Sequence, residues 1–218
     1  MKVKICGIRT DADLKTAIAA GADAVGFLVG QIHASPDFIL ISTAARLAAL
    51  LPPFVTPVLV THLTKPEDIM EIVSKTSIRT VQLHGGSSLA DVKKLSSMMP
   101  PGSALILAAH ILQDKCTPSL DDYYPYLRAV LLDSYNKEKG QVGGTGQVHN
   151  WELSARIVRE CPLPVMLAGG LTPDNVKEAI RTVRPYAVDA NSGLKGAEGG
   201  RCPEKCAAFV KNANDSLV

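Results

Sequence analysis

Residues 11–27 read DADLKTAIAAGADAVGF, and this stretch decides the fold. Leu14, Ala17 and Ile18 recur at three- and four-residue spacing, the period of a helix with one apolar face. Gly21 closes that helix, because a residue without a β-carbon adopts the left-handed turn that ends it. The chain then runs apolar without alternation from Ala24 to Leu28, as a strand buried on both faces does. Helix, tight stop and doubly buried strand together make one unit of a parallel sheet.

The same unit repeats along the chain. Short apolar runs occur at Val3–Cys6, Ala24–Leu28, Val58–Val60, Thr80–Leu83, Ala104–Ala108, Ala129–Leu132, Val165–Ala168 and Ala187–Ala190. Helical spacing fills the intervals, as in SSLADVKKLSSMM (87–99) and TPDNVKEAIRTV (172–183). In the second, Thr172 is the expected N-cap and Pro173 suits the first turn. No hairpin dipeptide separates the runs. Eight strand–helix units in 218 residues predict a compact (β/α)8 TIM barrel, one α/β domain spanning residues 1–218. A doubly wound open sheet is the runner-up. It fits less well, because CGIRT (6–10) is not a G-x-G-x-x-G turn.

Composition excludes several classes. A hydrophobic share of 46% with 20% charged residues is that of a soluble globular chain. A net charge of +2 gives no field that would hold nucleic acid or a membrane surface. No apolar run approaches the ~20 residues needed to cross a bilayer, and MKVKIC (1–6) carries no apolar signal segment behind its lysines. Five scattered cysteines predict reduced thiols and a cytoplasmic setting. CPEKC (202–206) has a spacing that a metal could use, but no second Cys or His pair accompanies it, so no metal is assigned.

Barrel chemistry stands at the C-terminal strand ends. Gly169 and Gly170 follow the seventh run; Asn191, Ser192 and Gly193 follow the eighth. These turns either simply bend the chain or offer amides to an anion; as a pair at successive strand ends, they favour phosphate. Cys6 ends the first run and Asp133 the sixth. A cysteine there can be a small buried hydrophobe, whereas an unpaired aspartate above an apolar core is costly. Together they form a candidate base and acid for a proton shift. His33, His62 and His110 also fall at loop mouths; they are read as unrelated loop residues rather than a metal site. Tyr123, Tyr124 and Tyr126 are expected on the barrel exterior, and Trp151 at the start of a helix. Residues 134–150, SYNKEKGQVGGTGQVHN, form the longest irregular stretch, of a length usually functional in compact domains.

The motifs KICGIRT (4–10), GADAVGFL (21–28), VQLHGG (81–86), LLDS (131–134) with GGTGQ (143–147) and Trp151, LAGGLTPDNV (167–176) and VDANSG (188–193) resemble, in order and spacing, those of the phosphoribosylanthranilate isomerase family. The resemblance covers nearly the whole chain. It implies a TIM barrel that performs an Amadori rearrangement in tryptophan biosynthesis, turning a phosphoribosyl amine into a 1-deoxyribulose phosphate. An acid protonates the ribose ring oxygen, the ring opens to a Schiff base, and a base removes the C2 proton. It implies no cofactor and no metal, a small phosphorylated sugar as the partner, and a monomer or homodimer. By the resemblance Cys6 is the base and Asp133 the acid. Gly144, Gly169, Gly170, Asn191, Ser192 and Gly193 hold phosphate, and Gln82, His84, Asp189 and the Asp37 position face the rest of the substrate.

Departures concentrate on one side. In SPDFI (35–39), Asp37 stands where the family carries the arginine that meets the substrate carboxylate. Asn191 replaces a serine, Lys195 a glutamate, and Gln147 a lysine. An acid at position 37 is expected to repel that carboxylate. Either another cation (Arg9, His33 or Lys195) substitutes, or the chain acts on a phosphosugar without an anthranilate. A non-catalytic binding protein is a third class, disfavoured because Cys6 and Asp133 are both present.

Overall fold

A computed structural model describes residues 1–32, 35–112, 114–136, 141–142 and 150–217. In chain order these contain β1 (Lys2–Ile5), α1 (Asp11–Ala19), β2 (Ala24–Leu28), α2 (Ile41–Ala48), β3 (Thr56–Thr61), α3 (Pro66–Thr76), β4 (Thr80–Leu83), α4 (Leu89–Met98), β5 (Ala104–Leu112), β6 (Lys115–Thr117), β7 (Ala129–Asn136), β8 (Gln141–Val142), α5 (Trp151–Glu160), β9 (Val165–Leu167), α6 (Val176–Val183), β10 (Ala187–Ala190) and α7 (Pro203–Asn214). Eight of the strands pair in parallel around a closed ring: β1, β2, β3, β4, β5, β7, β9, β10 and back to β1. The closing pair runs from Lys2 opposite Ala187 to Ile5 opposite Ala190. The fold is the (β/α)8 barrel that the alternating runs predict.

Alternation along the strands splits the core in two. Val130 and Leu132 of β7 face the helices, with Val3, Ile5, Val81 and Val188 of other strands. Leu131 turns inward with Val58, Val60, Ile106, Ala108, Met166, Ala168 and Cys6. Side chains of one strand therefore serve both layers, which is why the runs lack a polar face. Local capping fixes the helix starts: the hydroxyls of Thr10 and Ser88 and the amide oxygen of Asn150 each accept from a backbone N–H three residues on. Trp151 opens α5, as its position predicts.

Three local expectations are corrected. First, β5 is followed by no α-helix among the described residues. It runs on to Leu112 and folds back on β6 as an antiparallel hairpin, with His110 opposite Thr117. A single 3-10 segment, Asp121–Tyr126, covers that sector. Pro125 stands in the segment and cannot donate to an α-helical ladder; Tyr123 fills the gap, buried, with its hydroxyl 3.4 Å from the Ser87 carbonyl. Second, 134–150 is not irregular throughout: β7 continues to Asn136 and pairs antiparallel with β8. Third, Thr172 does not cap a helix. Its N–H is taken by Asn175 Oδ1 at 2.8 Å, and α6 begins at Val176.

Candidate active site

A cavity of about 250 Å³ opens at the C-terminal ends of the barrel strands. Its walls include Cys6, Asp37, Gln82, His84, Asp133, Gly169, Gly170, Asp189, Asn191 and Ser192, along with Lys195, one of the three candidate substitute cations. Residues from both ends of the chain meet there because β1 and β10 are neighbours in the ring. Gly144 and His33 lie outside the described residues.

Asp133 is held from two sides. Its Oδ1 accepts the Ser134 N–H at 2.7 Å, and its Oδ2 stands 3.3 Å from His84 Nε2. Burial works to raise the Asp133 carboxyl, but the His84 contact, the nearby His110 and the Ser134 amide outweigh it and hold the group below the usual carboxylate range. Gln82 Nε2, 3.1 Å from His84 Nδ1, fixes the far side of that ring. Phe38, His62, His84 and His110 form a row of rings with centroids 5.2, 5.5 and 5.4 Å apart. Burial, then the charge of His84, pushes His110 down to about 4, against a smaller pull from Asp133. The row is an aromatic wall. No group of three or more His, Cys, Asp or Glu side chains suited to a metal occurs among the described residues.

Cys6 sits at the cavity floor, 5% exposed. Burial pushes its thiol up to about 11, with Lys4 opposing and Asp189 adding to the rise. At neutral pH the resting site thus carries a thiol and a carboxylate. Asp189 Oδ2 accepts from Lys4 Nζ at 2.8 Å, both side chains being buried. Asp189 Oδ1 is buried with no hydrogen-bond partner among the described residues, and Asp189 lines the cavity. A bare acceptor at a ligand-sized opening suits a hydroxyl of the ligand. The ion pair was not legible as a site in the sequence, although one signal was present: Lys4 lies two residues before Cys6 on a strand, so the two share a face.

The turn after β9 is tightly constrained. Gly169 and Gly170 take φ of +80° and +67°, which L side chains rarely adopt. Asn175 pins this turn, donating from Nδ2 to the Gly170 carbonyl at 2.9 Å. Gly193 packs so closely on it that a β-carbon would stand 2.2 Å from the Leu171 carbonyl. Ser192 opens a short 3-10 segment, Ser192–Leu194, beside the turn. Loops after the last two barrel strands with a short extra helix are the usual phosphate seat of this fold.

Three of the four departures, Asp37, Asn191 and Lys195, form one cluster, and Gln147 lies outside the described residues. Asp37 is buried, and its two carboxylate oxygens accept from Lys195 Nζ at 2.7 Å each. Asn191 Nδ2 donates to Asp37 Oδ2 at 3.1 Å, while Asn191 Oδ1 accepts from Arg201 Nη2 at 3.0 Å. Two expectations change. The Asp37 charge is not free to repel a ligand, since Lys195 takes it; and the Asn191 side chain is committed to Asp37 and Arg201 rather than turned toward the glycines. Of the three candidate cations, Arg9 is spent on the Gly199 carbonyl and Asp13, and His33 lies outside the described residues, whereas Lys195 lines the cavity.

Known proteins share this chain's sequence pattern and fold. Residues 3–212 match the family model described as N-(5'phosphoribosyl)anthranilate (PRA) isomerase. N-(5'-phosphoribosyl)anthranilate isomerase 2 of Methanosarcina mazei is 39% identical over 217 residues, covering 100% of this chain and 96% of that protein. Among solved structures, phosphoribosyl anthranilate isomerase from Thermotoga maritima superposes with a TM-score of 0.82 at 32% identity, over 99% of both chains. A phosphoribosyl anthranilate isomerase structure in complex with reduced 1-(o-carboxyphenylamino)-1-deoxyribulose 5-phosphate gives 0.79 at 30% identity over 99% of both chains. With the barrel matched from end to end and the strand-end residues gathered in one cavity, the chain belongs to the N-(5'-phosphoribosyl)anthranilate isomerase family.

Proposed function

We propose that the protein isomerises N-(5'-phosphoribosyl)anthranilate to 1-(o-carboxyphenylamino)-1-deoxyribulose 5-phosphate, an aldose-to-ketose Amadori step of tryptophan biosynthesis in the cytoplasm. The observation that carries this reading is one cavity holding Cys6, Asp133 and the Gly169–Gly170 turn together. The substrate has an anion at each end. The amides around Gly169, Gly170, Ser192 and Gly193 take the phosphate, with Gly144 as a further donor in the loop after β7. Lys195, presented by Asp37, takes the anthranilate carboxylate, and Leu28, Phe38 and Val60 on the cavity wall face its ring. Asp189 Oδ1 accepts from a ribose hydroxyl, and His84 with Gln82 positions the acid.

The chemistry needs a carboxylic acid at Asp133 and a thiolate at Cys6. That arrangement carries the same number of protons as the resting thiol and carboxylate, so it is reached by moving one proton from sulfur to oxygen. Asp133 then gives its proton to the ribose ring oxygen as the C1–O bond breaks. Cys6 removes the proton from C2 of the resulting Schiff base, leaving the enolamine that collapses to the ketose. The reason for a non-anthranilate substrate falls away, because Asp37 meets Lys195 rather than the ligand.

The test is loss of substrate fluorescence with purified protein. Turnover is expected, and Cys6→Ser or Asp133→Asn should each slow it by about 10²–10⁴-fold. Phosphate binding without turnover at high enzyme concentration would overturn the reading.

A further inference from the structure

Lys4 is a lysine 1% exposed inside an apolar barrel. Its place is set by register: Lys4 of β1 stands opposite Asp189 of β10, and the two pair at 2.8 Å. Cys6, the residue after β1, continues the ladder to β10 through its N–H on the Ala190 carbonyl and turns to the same face as Lys4 two residues before it. Gly26 of β2 shows how close the two are. A β-carbon built there would stand 2.6 Å from Cys6 Sγ and 3.2 Å from Lys4 Cε, so both side chains lean over the one position without a side chain. A buried ion pair is seldom more stable than apolar residues of equal volume, so stability alone does not account for a charge here.

We propose, resting on the isomerase reading above, that Lys4 is a positioning residue for the reaction: its ammonium, anchored by Asp189, stands beside the Cys6 sulfur and supplies the positive charge against which that thiol ionises. Burial alone would lower Lys4, but Asp189 and Cys6 outweigh it and keep the ammonium charged. The charged groups acting on Cys6 are Lys4 from its own strand, Asp189 from β10 and Arg201 from the segment beyond it; Gly26 of β2 brings none. Asp133 of β7 and His84, the residue after β4, act in turn on Asp189. Lys4 and Asp189 therefore pull the thiol in opposite directions, Lys4 toward thiolate and Asp189 toward thiol.

The thiol itself reports the effect of the Lys4 charge. Alkylation of Cys6 by iodoacetamide, located by peptide mass spectrometry at fixed mildly alkaline pH, reads the thiolate fraction without substrate. Lys4→Met should slow it at least tenfold, which corresponds to a thiol raised by about one pH unit or more. Turnover at neutral pH should fall by a similar factor, and Lys4→Arg should recover part of both. Folding of each variant is checked by circular dichroism. A folded Lys4→Met that alkylates at the unaltered rate overturns the proposal. Where Lys4→Met does not fold, Lys4→Gln decides: slower alkylation supports the proposal, and unchanged or faster alkylation overturns it. Absence of turnover in the unaltered protein would count against the isomerase reading and leave the alkylation result standing.

Discussion

Asp37 and Lys195 each make the other tolerable. A buried carboxylate without a partner is costly, and Lys195 Nζ meets both of its oxygens at 2.7 Å. The sequence places the two 158 residues apart, so nothing in the local pattern shows that one neutralises the other. Asp37 read alone looks like a repulsive substitution; read with Lys195 and Asn191 it is the buried anion of a paired cluster. Lys195→Met should therefore raise KM for the substrate about tenfold to a hundredfold, the ~1.5–3 kcal/mol of a charged hydrogen bond, with kcat less affected. Competition assays separate the two ends of the substrate. Inhibition by anthranilate should weaken in this variant and inhibition by inorganic phosphate should persist; the reverse pattern would assign Lys195 to the phosphate. Asp37→Arg alone should harm binding by setting two cations together, and adding Lys195→Glu should restore part of the loss.

At the scale of an element, the strand-to-helix turn after β9 shows why a correct motif can carry a wrong boundary. Thr172-Pro173 has the chemistry of an N-cap and first turn. The structure spends the Thr172 N–H on Asn175 instead and starts α6 at Val176, so that Asn175 can also hold the Gly170 carbonyl. The helix gives up part of a turn, and the two left-handed glycines are fixed in return. Asn175→Ala should loosen that turn at a stability cost of about 1–2 kcal/mol. It should raise KM and the inhibition constant of inorganic phosphate together by roughly tenfold, while kcat stays near its original value. A fall in kcat with phosphate affinity unchanged would mean that Asn175 serves the acid–base pair and not the phosphate. The hairpin of β5 and β6 was missed for a related reason. Apolar periodicity reports burial, and a strand that runs past the barrel into a hairpin remains buried through Ile111.

For the whole molecule, what could be read from the sequence followed from what is local. Eight apolar runs, their helical spacers and the glycine turns are properties of neighbouring residues, and they predict the barrel and the ends at which Cys6, Asp133 and Gly169 stand. The Lys4–Asp189 and Lys195–Asp37 pairs are properties of closure, made only when β10 returns beside β1. Closure also brings the chain ends together: the Met1 amino group is 3.5 Å from Asn214 Oδ1. Function at one face of the barrel and stability at the other should then be separable by where the chain is cut. A circular permutant that joins the ends by a short linker and opens between α2 and β3, where Phe54 is 96% exposed, cuts the face opposite the site. It should fold, and turn over substrate within roughly threefold of the parent. A permutant opened between Ser35 and Pro36 keeps every barrel strand but frees the segment that carries Asp37 beside Lys195. It should retain its circular dichroism and lose most of its affinity for anthranilate, with phosphate inhibition kept. Equal loss of activity in both permutants would mean that the two faces are not independent and that the site depends on tension around the whole ring.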